Sequence, residues 1–229
     1  MIGLFARRSG LRAVLVGLVY ALLLGSLKAS AGESLARLVP DSAGLCIELR
    51  DLAGSLARAQ HGELAKRAEA NPVVRAKLAI EVKRASGLRT ALVAQLGISA
   101  DEASRLFSDQ LVLAVWAGKL PGESGPGLLI LRCPDQPLLA RVGRNVAARQ
   151  RAAGRLDPAR PFAAHGQTVE VHTINTGHSD RAGAQVCLAI VGDLAIVATH
   201  RELLEETITA AWDEPAVGPL ANLPAYRAA

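Results

Sequence analysis

The hydrophobic pattern of the chain changes character several times, and each change predicts a different element. The run Ala13 to Leu27 is apolar and uncharged, with Arg7, Arg8 and Arg12 before it and Ala29-Ser30-Ala31 after it. From Ala43 to Leu49 the pattern alternates: Leu45, Ile47 and Leu49 on one side, Cys46 and Glu48 on the other, as in a half-buried strand after the turn Val39-Pro40-Asp41-Ser42. Asp51 is placed to cap a helix running to about Gln60, and a second helical segment follows from His61 to Ala70. Asn71-Pro72 opens a third, in which Val74, Leu78, Val82 and Ala85 recur at helical spacing. Leu88, Leu92 and Leu96 continue that stripe beyond Gly87 until Gly97 ends it. Ser99 and Glu102 have capping-box spacing for a short helix to Phe107.

Beyond Phe107 the period shortens. Leu111 to Trp116 and Gly127 to Cys133 are apolar, strand-length runs joined by a Pro- and Gly-rich connection, which predicts a hairpin. Asp135 and Pro137 open a helix with Leu138, Val142 and Val146 on one side, ending at Gly154. A polar loop then leads to a strand from Thr168 to Thr173. Ala184 to Val191 and Leu194 to Ala198 flank Gly192-Asp193, a two-residue hairpin signal. Thr199 and Glu202 repeat the capping-box spacing, and Leu204, Ile208 and Ala211 carry a last helix toward Pro215. The expected architecture is α+β, with a largely antiparallel sheet and helices packed on one side.

Charge refines this picture. The chain carries 26 Lys and Arg against 21 Asp and Glu, but Arg7, Arg8, Arg12 and Lys28 precede Gly32 and no acidic residue does. Residues 1–31 thus read as a signal peptide: a positive start, an apolar centre and a small-x-small cleavage pattern. Fifteen apolar residues span about 23 Å as a helix, short of a hydrocarbon layer of about 30 Å, which favours cleavage over a permanent anchor. Export to the periplasm or another extracytoplasmic space is expected, with an inner-membrane-anchored form as the alternative. No cysteine lies at the cleavage pattern, so a lipid-modified N-terminus is not indicated. Past residue 31 the balance is 22 to 21 and the aromatics Phe107, Trp116, Phe162, Trp212 and Tyr226 are scattered, which argues against nucleic acid as a partner. The expected division is 1–31 signal peptide, 32–215 α+β domain, and 216–229 linker and start of a truncated second repeat. Pro224-Ala225-Tyr226-Arg227-Ala228 echoes Pro72-Val73-Val74-Arg75-Ala76.

Candidate chemistry is sparse. Cys46, Cys133 and Cys187 permit at most one internal disulfide, form no CxxC pair, and sit in apolar runs where cysteine packs as a small hydrophobe. Gly122-Glu123-Ser124 and Gly177-His178-Ser179 lack the last glycine of a nucleophile elbow. Gly118-Lys119 lacks the rest of a phosphate-binding loop, and no cofactor motif is found. The strongest polar cluster is His172, His178 and Asp180, joined by Glu170 and His165; imidazoles and carboxylates in one short stretch suit a divalent metal, although the spacing matches no common ligand pattern. Glu170 and His172 fall on one face of a strand whose other face carries Val169 and Val171, as on a solvated strand face. His200 and Glu202 read as the opening turn of the last helix, where a carboxylate favours the N-terminus. The helix from Leu138 to Arg155 carries Arg141, Arg144, Arg149, Arg151 and Arg155 beside Leu138, Leu139, Val142 and Val146; membrane-surface association is one reading of it, and packing of that apolar stripe on the sheet explains it at least as well.

The leader, then Val39-Pro40-Asp41-Ser42-Ala43 into a strand ending Glu48-Leu49-Arg50-Asp51-Leu52, then Ser108-Asp109-Gln110-Leu111-Val112-Leu113-Ala114 and Gly127-Leu128-Leu129-Ile130-Leu131, resembles exported bacterial proteins carrying domain of unknown function 3352. Gly192-Asp193-Leu194-Ala195-Ile196-Val197-Ala198-Thr199 before a short helix fits the same pattern. The resemblance covers about residues 36 to 229 and implies a longer, repeat-containing protein with no catalytic residue to carry over. Two expectations follow: a non-catalytic binding or scaffolding module of the cell envelope, or an exported hydrolase or metal-dependent enzyme whose site is assembled from distant residues. In the first case the partner is another protein or the chain's own second repeat, and the membrane is met only through an uncleaved signal segment.

Overall fold

The apolar, strand-length runs pair into one sheet. The computed structural model describes residues 34–51, 93–118, 124–176 and 185–213, with isolated positions between 54 and 91. Its seven strands are β1 (Leu45–Arg50), β2 (Gln110–Ala117), β3 (Ser124–Arg132), β4 (Arg160–Ala164), β5 (Gln167–Asn175), β6 (Gln185–Val191) and β7 (Leu194–Ala198). They lie in the order β1-β2-β3-β7-β6-β5-β4, and every pairing is antiparallel. Two meanders, β1 to β3 and β4 to β7, are joined where β7 returns against β3. The helices that lie wholly within the described residues are α1 (Ala100–Leu106), α2 (Gln136–Ala152) and α3 (Arg201–Trp212), with a 3-10 turn at Leu35–Leu38. The fold is α+β with an antiparallel sheet, as the periodicity predicts.

The helices do not share one side. Val112, Ala114, Leu128, Ile130, Ile196 and Ala198 face the 3-10 turn and α3, whose Leu204 and Ile208 are wholly buried. The alternate positions Leu111, Leu131, Ala195 and Ile190 face α1 and α2 through Leu106, Leu138, Leu139 and Val142. Strands covered on both faces read as continuous apolar runs rather than alternation, which is the pattern of Leu111 to Val115 and Val186 to Val191. Each fully buried Leu or Ile on either face contributes roughly 1.5–3 kcal/mol. At the approach of α2 to β6, a Cβ at Gly143 would lie 2.4 Å from Ile190 Cδ1, so a larger residue there would make the end of the Ile190 side chain shift.

The local signals hold at four helix ends and fail at one. Asp135 caps α2, its carboxylate accepting from Leu138 N–H at 3.0 Å, and Gly154 follows the helix with φ 64°. Ser99 and Glu102 form the expected reciprocal capping box on α1. Helical residues before Gly97 end in its left-handed conformation, φ 66°. At α3, however, the N-cap is His200, with no side-chain capping bond. Thr199 is occupied elsewhere: its Oγ1 accepts from Gly127 N–H at 2.9 Å while its own N–H donates to Gly127 O at 3.0 Å. That reciprocal pair fastens the end of β7 to β3, so the predicted Thr199–Glu202 box does not form. Two elements were also absent from the pattern reading: the 3-10 turn, and β4, which lies in the stretch expected to be loop. The predicted helices from Asp51 to Ala85 fall almost wholly outside the described residues.

Candidate functional site

The polar cluster singled out in the sequence is only partly within the described residues. His178 and Asp180 lie outside them. Glu170 and His172 share one face of β5, as alternation predicts, and Val169 and Val171 pack inward on the other. That face is solvated only at Glu170: His172 pairs with Leu188 of β6 and is half-buried, and Ile174, two residues on, is wholly buried. His172 Nδ1 is enclosed without a hydrogen-bond partner among the described residues. His165 is turned away into the β4–β5 hairpin turn with φ 52°. There its Nε2 lies 3.2 Å from Asp213 Oδ1, just past α3. Phe162 of β4 stacks on Trp212 of α3, ring centres 6.0 Å apart and planes 4° from parallel. Together these contacts hold the outer hairpin to the end of α3. Among the described residues no three His, Cys, Asp or Glu side chains gather as a metal site would need.

The cysteines are separated by the register. Cys46 pairs across to Ala114, Ala114 to Leu128, Leu128 to Ala198, and Ala198 to Cys187. Cys46 and Cys187 therefore occupy one row, four strand spacings or about 19 Å apart, far beyond the reach of a disulfide. Cys133 follows β3, where its N–H bonds to Asp193 O beside the β6–β7 turn. All three are free thiols. Burial, and secondarily Glu48, pushes the Cys46 thiol up to about 11. Burial raises Cys133 and Cys187 as well. Protonated, enclosed thiols are poor nucleophiles and metal ligands.

No protein-family model matches the chain. No curated protein or solved structure matches it either. The outer surfaces of the two sheet faces differ in charge. From Gln136 to Leu156 the chain has five arginines and no acidic residue. At about 100° per residue, Arg141, Arg144 and Arg151 fall opposite the stripe of Leu139, Val142 and Val146 that packs on the sheet. Arg141 is bonded to Glu102 of α1, and Arg105 of α1 reaches Asp135 at 2.9 Å. Those pairs neutralise the N-terminal half of α2. Toward its other end Arg144, Arg149, Arg151 and Arg155 are exposed. α3, on the opposite face, carries Glu202, Glu205 and Glu206 against Arg201 alone, and Arg201 is spent on Glu205 at 2.6 Å.

Glu102 ties the basic face together. Its carboxylate accepts from Ser99 N–H at 2.8 Å and from Arg141. The Ser99 backbone bond first, and then Arg141, hold its carboxyl down at about 2. Asn145 of α2 adds a second brace by donating to Leu96 O at 3.0 Å. The number of arginines is legible in the sequence; which of them is neutralised depends on Glu102 arriving from α1.

Proposed function

We propose that the chain is an exported, non-catalytic interaction module of the cell envelope that works through the arginine face of α2. The observation that carries this reading is the segregation of charge. Past residue 31 the chain is almost balanced, 22 basic to 21 acidic, yet one exposed helix face concentrates guanidinium groups while the opposite helix presents carboxylates. A nearly neutral protein with a basic face is suited to orienting against an anionic partner, because the field of the face persists where net charge cancels. Arginine suits such a surface better than lysine, since its planar fork makes paired hydrogen bonds to carboxylate or phosphate. The leader supplies the compartment, and the resemblance to exported bacterial proteins with domain of unknown function 3352 agrees with it.

The reading is tested by fractionating cells that express the full chain and measuring the intact mass of the recovered protein. Recovery from the envelope fraction, starting at Gly32 or retaining the leader as an anchor, is the expected result. Recovery from the cytosol with residue 1 intact would overturn it.

A further inference from the structure

We propose that the arginine face of α2 binds the phosphate headgroups of an anionic phospholipid bilayer, so that the sheet face bearing α1 and α2 lies toward the membrane. This rests on the exported reading above and adds a membrane contact beyond the leader. Three features argue for it. First, the contact is flat and electrostatic. Arg144 and Arg151 fall on the side of the helix away from the sheet, about 10 Å apart along its axis; Arg155 follows the helix and is exposed, and Arg149, also exposed, reaches back over Gly97. None of these four side chains has an ion-pair or hydrogen-bond partner among the described residues.

Second, the face carries no anchor of the kind that protein interfaces use. The exposed stripe between the arginines holds Ala148 and Ala152, with no aromatic or large aliphatic side chain, whereas protein partners are gripped by buried aromatic and aliphatic hot spots. All the large apolar residues of α2 are spent on the sheet: Leu138, Leu139 and Val142 are buried there. A helix of this kind does not insert into the acyl layer; it rests on the headgroups. Third, the basic residues crowd one end of α2, and the acidic α3 packs on the opposite face of the sheet. A bilayer that attracts one face and repels the other fixes the orientation of the domain. Juxtamembrane basic clusters gain affinity from each Lys or Arg near an anionic surface, and salt removes it.

The test uses the full chain carrying Ala148→Cys, labelled with a solvent-sensitive fluorophore. Position 148 lies between Arg144 and Arg151; Cys133 and Cys187 are buried, and the half-buried Cys46 is changed to Ser to keep labelling selective. The labelled protein is titrated with vesicles of phosphatidylcholine alone and with vesicles that also contain phosphatidylglycerol. The proposal predicts a fluorescence response only with the phosphatidylglycerol vesicles, reversed by high salt. The triple change Arg144→Glu, Arg151→Glu, Arg155→Glu should weaken that response on the order of 100-fold, while unchanged circular dichroism shows the fold intact. Equal response with both vesicles would overturn the proposal, as would a response that survives the charge reversal. Response to soluble polyphosphate or duplex DNA, with none to phosphatidylglycerol vesicles, would also overturn it and assign the face to a free polyanion. Any of these failures leaves the envelope assignment standing, because that is decided by fractionation and not by vesicles.

Discussion

The two faces of the sheet are built alike inside and differently outside. On one, α3 and the 3-10 turn bury Leu204, Ile208 and Leu35 against β2, β3, β6 and β7; on the other, α1 and α2 bury Leu106, Leu138 and Leu139 against the alternate residues of the same strands. Their outer surfaces carry opposite charge, and their braces differ too. The α3 face is closed by backbone pairing at Thr199 and Gly127 and by the Phe162–Trp212 stack. The α2 face is held by ion pairs, Glu102 with Arg141 and Arg105 with Asp135. Stability on one side thus depends mainly on packing and backbone bonds, while on the other the same charges that tie α1 to α2 decide which arginines remain free.

The largest effect that sharpens this comparison is expected in the core. Leu204→Ala and Leu139→Ala remove equally enclosed side chains from opposite faces, and each should cost about 3 kcal/mol in urea unfolding. A near-zero cost for Leu139→Ala alone would mean that α2 is loosely seated and that its arginine face is not rigidly presented. Smaller effects are expected at the two predicted caps. Thr199→Val strands the Gly127 N–H and should cost roughly 1–2 kcal/mol. Ser99→Ala removes one capping bond and should cost about 1 kcal/mol. If Glu202→Gln proved as harmful as Thr199→Val, the Thr199 hydroxyl would be serving α3 after all.

The smallest effect is a pH dependence confined to one face. The Glu102 carboxyl is held at about 2, below its ordinary 4.5, so the stability it supplies is complete above the ordinary range and is lost as pH falls through about 2. Acid titration of wild type and Glu102→Gln, followed by amide signals of α1, should show the difference between the two disappear at the acid end. A constant gap throughout would show that Glu102 acts by packing and not by charge. The group is exposed, so the effect should be modest.

Much of this fold is legible in the sequence, and the failures have local causes. Strand-length apolar runs, the Gly192-Asp193 turn, the Asp135 cap and the Ser99–Glu102 box are decided by neighbours in sequence, and each is found where the pattern puts it. Thr199 is not so decided, because its partner Gly127 lies 72 residues away. The helices were expected on one side because each helix shows one apolar stripe, and a stripe says that a helix packs without saying on which face. The signal that both faces are covered was present in the unbroken runs of β2 and β6. β4 escaped because Arg160-Pro161-Phe162-Ala163-Ala164 is an exposed edge strand with little apolar pattern. For the candidate site, alternation correctly placed Glu170 and His172 together, while the pairing of His165 with Asp213 depends on a tertiary contact between the hairpin and α3. The arginine face was visible as composition, but its exposure and its contrast with α3 required the sheet between them.

Thiol accessibility compares the two faces of the domain in the envelope itself. Ala148→Cys on α2 and Glu206→Cys on α3 are each introduced into the full chain, and their reaction rates with a water-soluble maleimide are measured in isolated envelopes and in the purified protein. Both positions are exposed on the isolated domain. The position on α2 should be protected in envelopes and recover in high salt, while the position on α3 should react at the same rate in both settings. Equal reactivity of the two positions in envelopes, matching the purified protein, would contradict the proposed orientation.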